Sequence, residues 1–402
     1  MMTEALHFIT ATTQEETTET AIQALKDQVA AHRSANDEAF DLVMLYMTTH
    51  YLPDAQTIFS TLYNEIGPVQ AAVFMGCVAE GVIGPQTEYE SEPAITLIAG
   101  HLNGVSLTPF ALGNEEMSQY LQDPPALQEQ LALPPHSKLT LVLGDPFSTP
   151  IEGVLNAFNV LYPGVPLVGG MASAALNAGG NVLFLNGLLF NEGAVGVILN
   201  GDITADVIVS QGCRPVGEPF TITEAEGNLI TSIENQPPPI FIQQMYESFT
   251  EQEKALLQNG LFLGRAVRPV SQGLGRGDFL IRGVLGIDRQ THGMIVGDVL
   301  KPGETVQFHL RDAVTAGDDL EMLLIPQSFS ETPAAVFLFT CNSRGTRLYE
   351  QPNGDVSRIH DAVGDAPIAG FFASGELGPI GDTNFYHGHT ASMVMLRSIT
   401  PA

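Results

Sequence analysis

APIAGFFASGELGPIGDTNFYHGHT, running from Ala366 to Thr390, is the stretch from which the fold can be read. The small, apolar run Ile368 to Ala373 predicts a buried strand, and Ser374 to Pro379 predicts a tight turn, because Gly and Pro bound the run. Glu376 stands out there: glutamate is a poor strand and turn former and is costly to bury without a partner. The same shape occurs at Ala71 to Gly84, AAVFMGCVAEGVIG, with Gly76, Cys77 and Glu80. It occurs again at Val165 to Gly180, with Gly169, Gly170 and Ser173 but no glutamate.

Working outward, each of these strand ends closes a strand, helix, strand unit. The first has a strand at Asp41 to Met47 and a helix started by Pro53, with Ile58, Phe59, Leu62 and Ile66 at helical spacing, stopped at Gly67-Pro68. The second has a strand at Lys138 to Gly144, a helix carrying Val154, Leu155, Phe158 and Leu161 and capped by Ser148-Thr149, and a stop at Pro163-Gly164. The third runs from Ala334 to Thr340 through a short helix at Asp355 to Val363 into the opening strand. An N-terminal helix spans Glu15 to Arg33. The fold class is α/β: two related halves with mixed sheets, repeated βαβ-like units and β-rich insertions between Leu183 and Gln211. GCRPVGEP, Gly212 to Pro219, predicts another turn. NQPPP, Asn235 to Pro239, predicts an extended linker, since consecutive prolines stiffen the chain. The expected organisation is therefore an N-terminal extension over 1–35, a first domain over 36–234, the linker over 235–239 and a second domain over 240–402.

The chain has 402 residues and a formal net charge of −29, which argues against nucleic acid or an anionic membrane as partner, since both need a basic footprint. No apolar run is long enough to span a bilayer, and the N-terminus lacks the order of a signal peptide. Three scattered cysteines fit reduced thiols, so a cytoplasmic location is expected. Arg265, Arg268, Arg276 and Arg282 form a local basic cluster, read either as neutralising nearby acids or as a patch for a carboxylate ligand.

Known enzyme signatures are absent: no Walker A loop, no GxSxG elbow, no HExxH, and no GxGxxG opening a helix. No cofactor is implied. His387-Gly388-His389 is too few ligands for a metal site. If the third pair of strands is parallel, the loop Cys341-Asn342-Ser343-Arg344-Gly345 and the turn Gly375-Glu376 emerge at neighbouring carboxyl ends, where open α/β sheets hold ligands. Arg344 would recognise a carboxylate and Glu376 an ammonium, which together suit a zwitterion; the alternative is a mutual salt bridge. Cys341 is a candidate nucleophile, with His387 or His389 as base.

In order and combination, the GC-x-A-E-G turn at Gly76 to Gly81, the GAVGVILNG run from Gly193 followed by QGCRPVGEPFTIT from Gln211, and the segments CNSRG, GFFASGELGPIG and FYHGHTA resemble the FIST family over roughly residues 36 to 395. The resemblance implies a sensory module with an N-terminal and a C-terminal part that binds small ligands, amino acids among them, in intracellular signal transduction. It aligns the family's cysteine-and-arginine turn with Cys341 to Gly345, its glycine-glutamate turn with Gly375-Glu376, and its final His-Thr with His389-Thr390.

The expectation is a cytoplasmic, non-enzymatic sensor of an amino acid or other small carboxylate, bound between the halves. The ligand would be held by Cys341, Asn342, Arg344, Gly345, Gly375, Glu376, His389 and Thr390, with Gly76, Cys77, Gly170 and Ser173 closing over it. No output segment is recognised, so a protein signalling partner is expected, and self-association stays open. Two other readings remain: an enzyme or redox sensor using Cys341, and a scaffold with no ligand.

Overall fold

A computed structural model describes residues 6–32, 39–66, 73–113, 119–269 and 273–399. The expected helix stop at Gly67-Pro68, Arg33, the first two residues of the strand expected from Ala71, and the side chain of Arg276 lie outside the described residues.

Each of the three strand, helix, strand units forms. Leu42–Thr48 and Val73–Ala79 pair in parallel around the helix Ala55–Ile66. Leu139–Gly144 and Leu167–Met171 do so around Ile151–Leu161. Ala335–Cys341 and Ile368–Ala373 do so around Gly354–Val363. Parallel pairing requires such a crossover, and strands covered on both faces read as continuous apolar runs. Helix Ala55–Ile66 turns Ile58, Phe59, Leu62 and Ile66 inward. Burying four such side chains contributes roughly 6 to 12 kcal/mol by area, before ordering costs.

Among the described residues the chain divides into two compact units. The first comprises the described residues up to Val209, then Glu321–Tyr386, then those from Thr390 on. The second comprises Ser210–Leu320 with His387–His389. Residues 235–239 lie inside the second unit, where Gln236 bridges back to Ile233 and Pro238 opens the helix Pro238–Ser248.

The first unit holds three six-stranded mixed sheets, one grown around each unit of paired strands. One buried apolar cluster joins them, with Tyr46, Leu141, Val195, Phe337 and Phe371 in it. Two pairings inside this unit join distant parts of the sequence. Val82–Ile83 runs antiparallel to Gly370 and Phe371, and Gly169-Gly170 runs antiparallel to Glu376-Leu377.

The second unit is built on a closed six-stranded barrel. Gly212 to Pro219 is not a turn: Cys213–Glu226 is a 14-residue strand of the barrel, paired with Thr305–Arg311. Pro215 stays in register opposite His309, while Gly217 and Pro219 are absorbed by an irregularity between Val216 and Phe220, the usual place for such residues in a strand. Arg265 and Arg282 both approach Asp298, and Arg268 pairs with Asp278, so these members of the basic cluster neutralise local acids.

Candidate functional site

The parallel register sets Cys341 beside Ala373, so CNSRG and SGELGP leave the sheet at adjacent carboxyl ends in the first unit. Three further contacts hold the ends together. Asn342 N donates to Ala373 O at 2.8 Å, Met171 N to Gly375 O at 2.9 Å, and Ser374 N to Met171 O at 2.9 Å. Ser173 ties in the Ala79-Glu80 end, its hydroxyl accepting from Glu80 N at 2.9 Å and donating to Phe372 O. Gly170 permits this approach, because a Cβ there would lie 2.8 Å from Ala373 Cβ. Gly375 has φ +133°, and a Cβ would strike the Tyr386 ring at 2.2 Å, so the turn requires glycine.

Glu376 is fully buried. One oxygen accepts from Thr390 N at 3.1 Å and from Thr390 Oγ1 at 2.8 Å. The other, Oε1, is buried without a hydrogen-bond partner among the described residues. Burial raises the Glu376 pKa to about 8, only partly offset by the Thr390 bonds, the Cys341 thiol and the Arg344 charge. A carboxyl in this state passes between neutral donor and anionic acceptor near neutral pH.

Arg344 is also fully buried, but its fork does not meet Glu376. Nε and Nη2 donate to the two oxygens of Asp355 at 2.9 and 2.7 Å, a bidentate pair. Nη2 also reaches Tyr349 OH at 2.6 Å, while Tyr349 OH and Thr340 Oγ1 each donate to Asp355 at 2.8 Å. The mutual salt bridge considered from sequence is therefore replaced by a bond to a helix-start aspartate. Burial alone would raise the Asp355 pKa, but the Arg344 guanidinium holds it below the ordinary aspartate value; burial would likewise lower Arg344, and Asp355 holds it up. What remains is Arg344 Nη1, buried with no hydrogen-bond partner among the described residues.

Cys341 is 6% exposed, with its sulfur 3.1 Å from Ser343 Oγ and its thiol within hydrogen-bonding reach of Glu376. Nearer the solvent, Asn342 Nδ2 donates to Glu80 at 3.2 Å, Arg347 donates to Asn342 O at 2.7 Å, and Arg347 pairs with Glu80. Gly345, at φ +57°, sits against the Glu90 carboxylate, which receives both Thr346 N and Thr346 Oγ1 at 2.8 Å and so holds the short helix Thr346–Tyr349. Glu88 performs the same service for Gly354–Val363, accepting from Asp355 N and Val356 N at 2.9 Å. Burial and the neighbouring Asp355 raise its pKa to about 7.

The structure thus gathers Glu80, Ser173, Gly170, Cys341, Asn342, Arg344, Gly375, Glu376 and Thr390 around one set of strand ends. Gly76 and Cys77 lie within Val73–Ala79 and are built into the sheet. A Cβ on Gly76 would fall 1.8 Å from Leu45 O, and burial pushes the Cys77 thiol well above its ordinary pKa. His389 belongs to the second unit, at φ +63° with its ring 4.6 Å from that of Phe262 and its carbonyl accepting from Gly212 N. Sequence reasoning missed Asp355, Tyr349, Arg347, Glu88 and Glu90; only Asp355 carried a local signal, and it read as no more than the first residue of a short helix. A separate groove of about 320 Å³ in the first unit is lined by His7, His32, His360 and Asp365, with none of the strand-end residues.

Comparison with known proteins bears on the whole chain. The FIST N domain matches residues 41–236 and the FIST C domain matches 241–379. An uncharacterized protein of Mycobacterium tuberculosis is 38% identical over 338 residues, 81% of this chain and 84% of its own. An uncharacterized protein of Mycobacterium bovis is 34% identical over 367 residues, 89% of this chain and 91% of its own. Among solved structures, a cyanuic acid hydrolase from A. caulinodans covers 98% of this chain at 6% identity with a TM-score of 0.40, a likeness too slight to bear on function.

Proposed function

Since the chain belongs to the FIST family, a family of sensory modules, we propose that it senses a small ligand at the strand ends of its first unit. The ligand is an amino acid or another small carboxylate, taken where the residues of the two sequence halves meet within that unit. One observation carries this reading: a buried cluster holds a cationic donor atom, Arg344 Nη1, and a carboxyl oxygen, Glu376 Oε1, neither of which has a hydrogen-bond partner of good geometry among the described residues, the weak donor Cys341 being the group nearest the carboxyl. Fully buried polar atoms of this kind are costly and are normally paired. A compact molecule with an anionic and an ammonium group satisfies both.

The recognition differs in detail from a bidentate clamp, because Asp355 occupies the fork of Arg344 and leaves a single nitrogen. Glu376 then sets the preference for an ammonium over a neutral group. Glu80, Asn342 and Arg347 form the polar rim, and opening their network admits the ligand. The role is binding and relay to a signalling partner in the cytoplasm, without turnover.

A thermal-shift screen against amino acids, small carboxylates and amines tests it, since a ligand of the folded state alone raises the apparent midpoint by mass action. The expected result is a shift from molecules that bear both groups, lost in Glu376→Gln. No shift from any class at millimolar concentration overturns the reading.

A further inference from the structure

We propose that Cys341 is an oxidant-reactive thiol: its sulfur attacks the terminal oxygen of a small hydroperoxide, Glu376 receives the thiol proton, and the Arg344 charge stabilises the oxygen that leaves. The inference shares the strand-end site with the ligand reading and does not rest on it, because the oxidant needs neither an ammonium nor a carboxylate.

The arrangement around the sulfur supports this chemistry. Cys341 closes a parallel strand, where its thiol lies within hydrogen-bonding reach of the Glu376 carboxyl and 3.1 Å from Ser343 Oγ. The fully buried Arg344 acts electrostatically on both Cys341 and Glu376 and keeps one nitrogen, Nη1, without a hydrogen-bond partner among the described residues. Reactive cysteines are those with a proton acceptor and a positive charge at hand, whereas a buried thiol in apolar surroundings is inert. Burial places Glu376 at about 8, so the carboxyl is ionised and able to accept the proton in about a tenth of the molecules at pH 7; with the ordinary thiol value at about 8.5, transfer to that carboxylate costs little.

The step balances. The S–O bond forms as the peroxide O–O bond breaks. Sulfur is oxidised by two electrons to the sulfenic acid, and the peroxide is reduced to water or an alcohol. The thiol proton moves to Glu376 and then to the leaving oxygen, which returns the carboxyl to its starting state. Hydrogen peroxide is small enough to reach a sulfur behind half-buried Asn342, Ser343 and Ser374.

The test exposes the purified chain to hydrogen peroxide with a 1,3-dione that traps sulfenic acid, and reads each cysteine by peptide mass spectrometry. Cys77, buried inside a strand, and Cys213, buried at the start of one, are controls within the same molecule. Cys341 is expected to be trapped at least about tenfold faster than either, and Glu376→Gln to slow it by about tenfold or more, the low end of the roughly hundredfold-or-greater effect of a proton acceptor scaled by the about one-tenth of Glu376 ionised at pH 7. Trapping of Cys341 no faster than Cys77 overturns the proposal, as does an unchanged Cys341 rate in folded Glu376→Gln. The comparison among cysteines needs no variant and stands even if Glu376→Gln does not fold. The oxidant is supplied directly, so a ligand screen without a hit leaves this result intact, and the reverse also holds.

Discussion

Replacing Asp355 with Asn removes one charge from a fully buried pair and leaves the Arg344 guanidinium without its counter-ion. Two bonds from Arg344, at 2.9 and 2.7 Å, and two from Thr340 and Tyr349, both at 2.8 Å, converge on that carboxylate. An asparagine of the same shape keeps one acceptor oxygen but turns an amide donor toward cationic or hydroxyl donors. Breaking a buried pair from one side costs about 3 to 5 kcal/mol, because an uncompensated charge stays in the interior. With a urea m-value of about 3 kcal/mol/M for a unit this large, the midpoint should fall by roughly 1 to 1.7 M. The assay is equilibrium urea unfolding followed by far-ultraviolet circular dichroism, repeated on Arg344→Met, Asp355→Leu and Arg344→Met/Asp355→Leu. The double variant should recover all but about 2 kcal/mol, since it removes both charges and strands only the Thr340 and Tyr349 hydroxyls. A loss below about 1 kcal/mol in Asp355→Asn, or a double variant no better than the sum of the singles, would refute this account of the pair.

Three more outcomes are expected. Glu88 and Glu376 have folded pKa values raised to about 7 and about 8, so the stability they give is present in full below the ordinary glutamate value and is lost as pH rises through those values; Glu376→Gln should therefore unfold at higher denaturant than the parent at pH 8.5 and show no such advantage at pH 5, as read by urea titrations at both. An ammonium-bearing ligand should favour ionised Glu376 and release close to one proton per molecule bound at pH 7, where about nine-tenths of the carboxyl is neutral; calorimetry in buffers of different ionisation enthalpy would show equal apparent heats if it does not. Ser173→Ala strands both Glu80 N and Phe372 O and should cost about 2 to 4 kcal/mol, while Gly370→Ala, whose Cβ would lie 1.6 Å from Leu338 O, should leave little soluble protein; a soluble, unshifted Gly370→Ala would contradict the strand register.

The parallel units were legible because their signals are local: apolar runs, helical spacing, and Pro or Gly at the ends. Glu376 stood out too, as a glutamate set between glycines at a strand end, but Ser374 to Pro379 read as a turn, whereas Glu376–Ile380 is a strand that carries the carboxyl into the interior. The partner of Arg344 was not, because Asp355 follows eleven residues later at a helix start, where an acid already has a local explanation. Glu88 and Glu90 serve backbone groups more than 250 residues away, and no local pattern encodes such a pairing. The barrel strand Cys213–Glu226 was hidden by its own Gly and Pro, which mark a bulge as readily as a turn. His389 precedes Thr390 in the chain, yet its ring packs on Phe262 in the other unit, so adjacency in sequence misplaced it.

The pairings of Val82–Ile83 with residues near 370 and of Gly169-Gly170 with Glu376-Leu377 bear on how the chain comes into being. During synthesis, the strands made first wait with open edges until residues 370 to 377 have left the ribosome. Closing loops of that length makes folding slow, and the waiting edges are templates for aggregation. The segments matching FIST N and FIST C are thus halves of one cooperative folding event, and a fragment ending near residue 240 would need a chaperone, or its missing half in trans, to stay in solution.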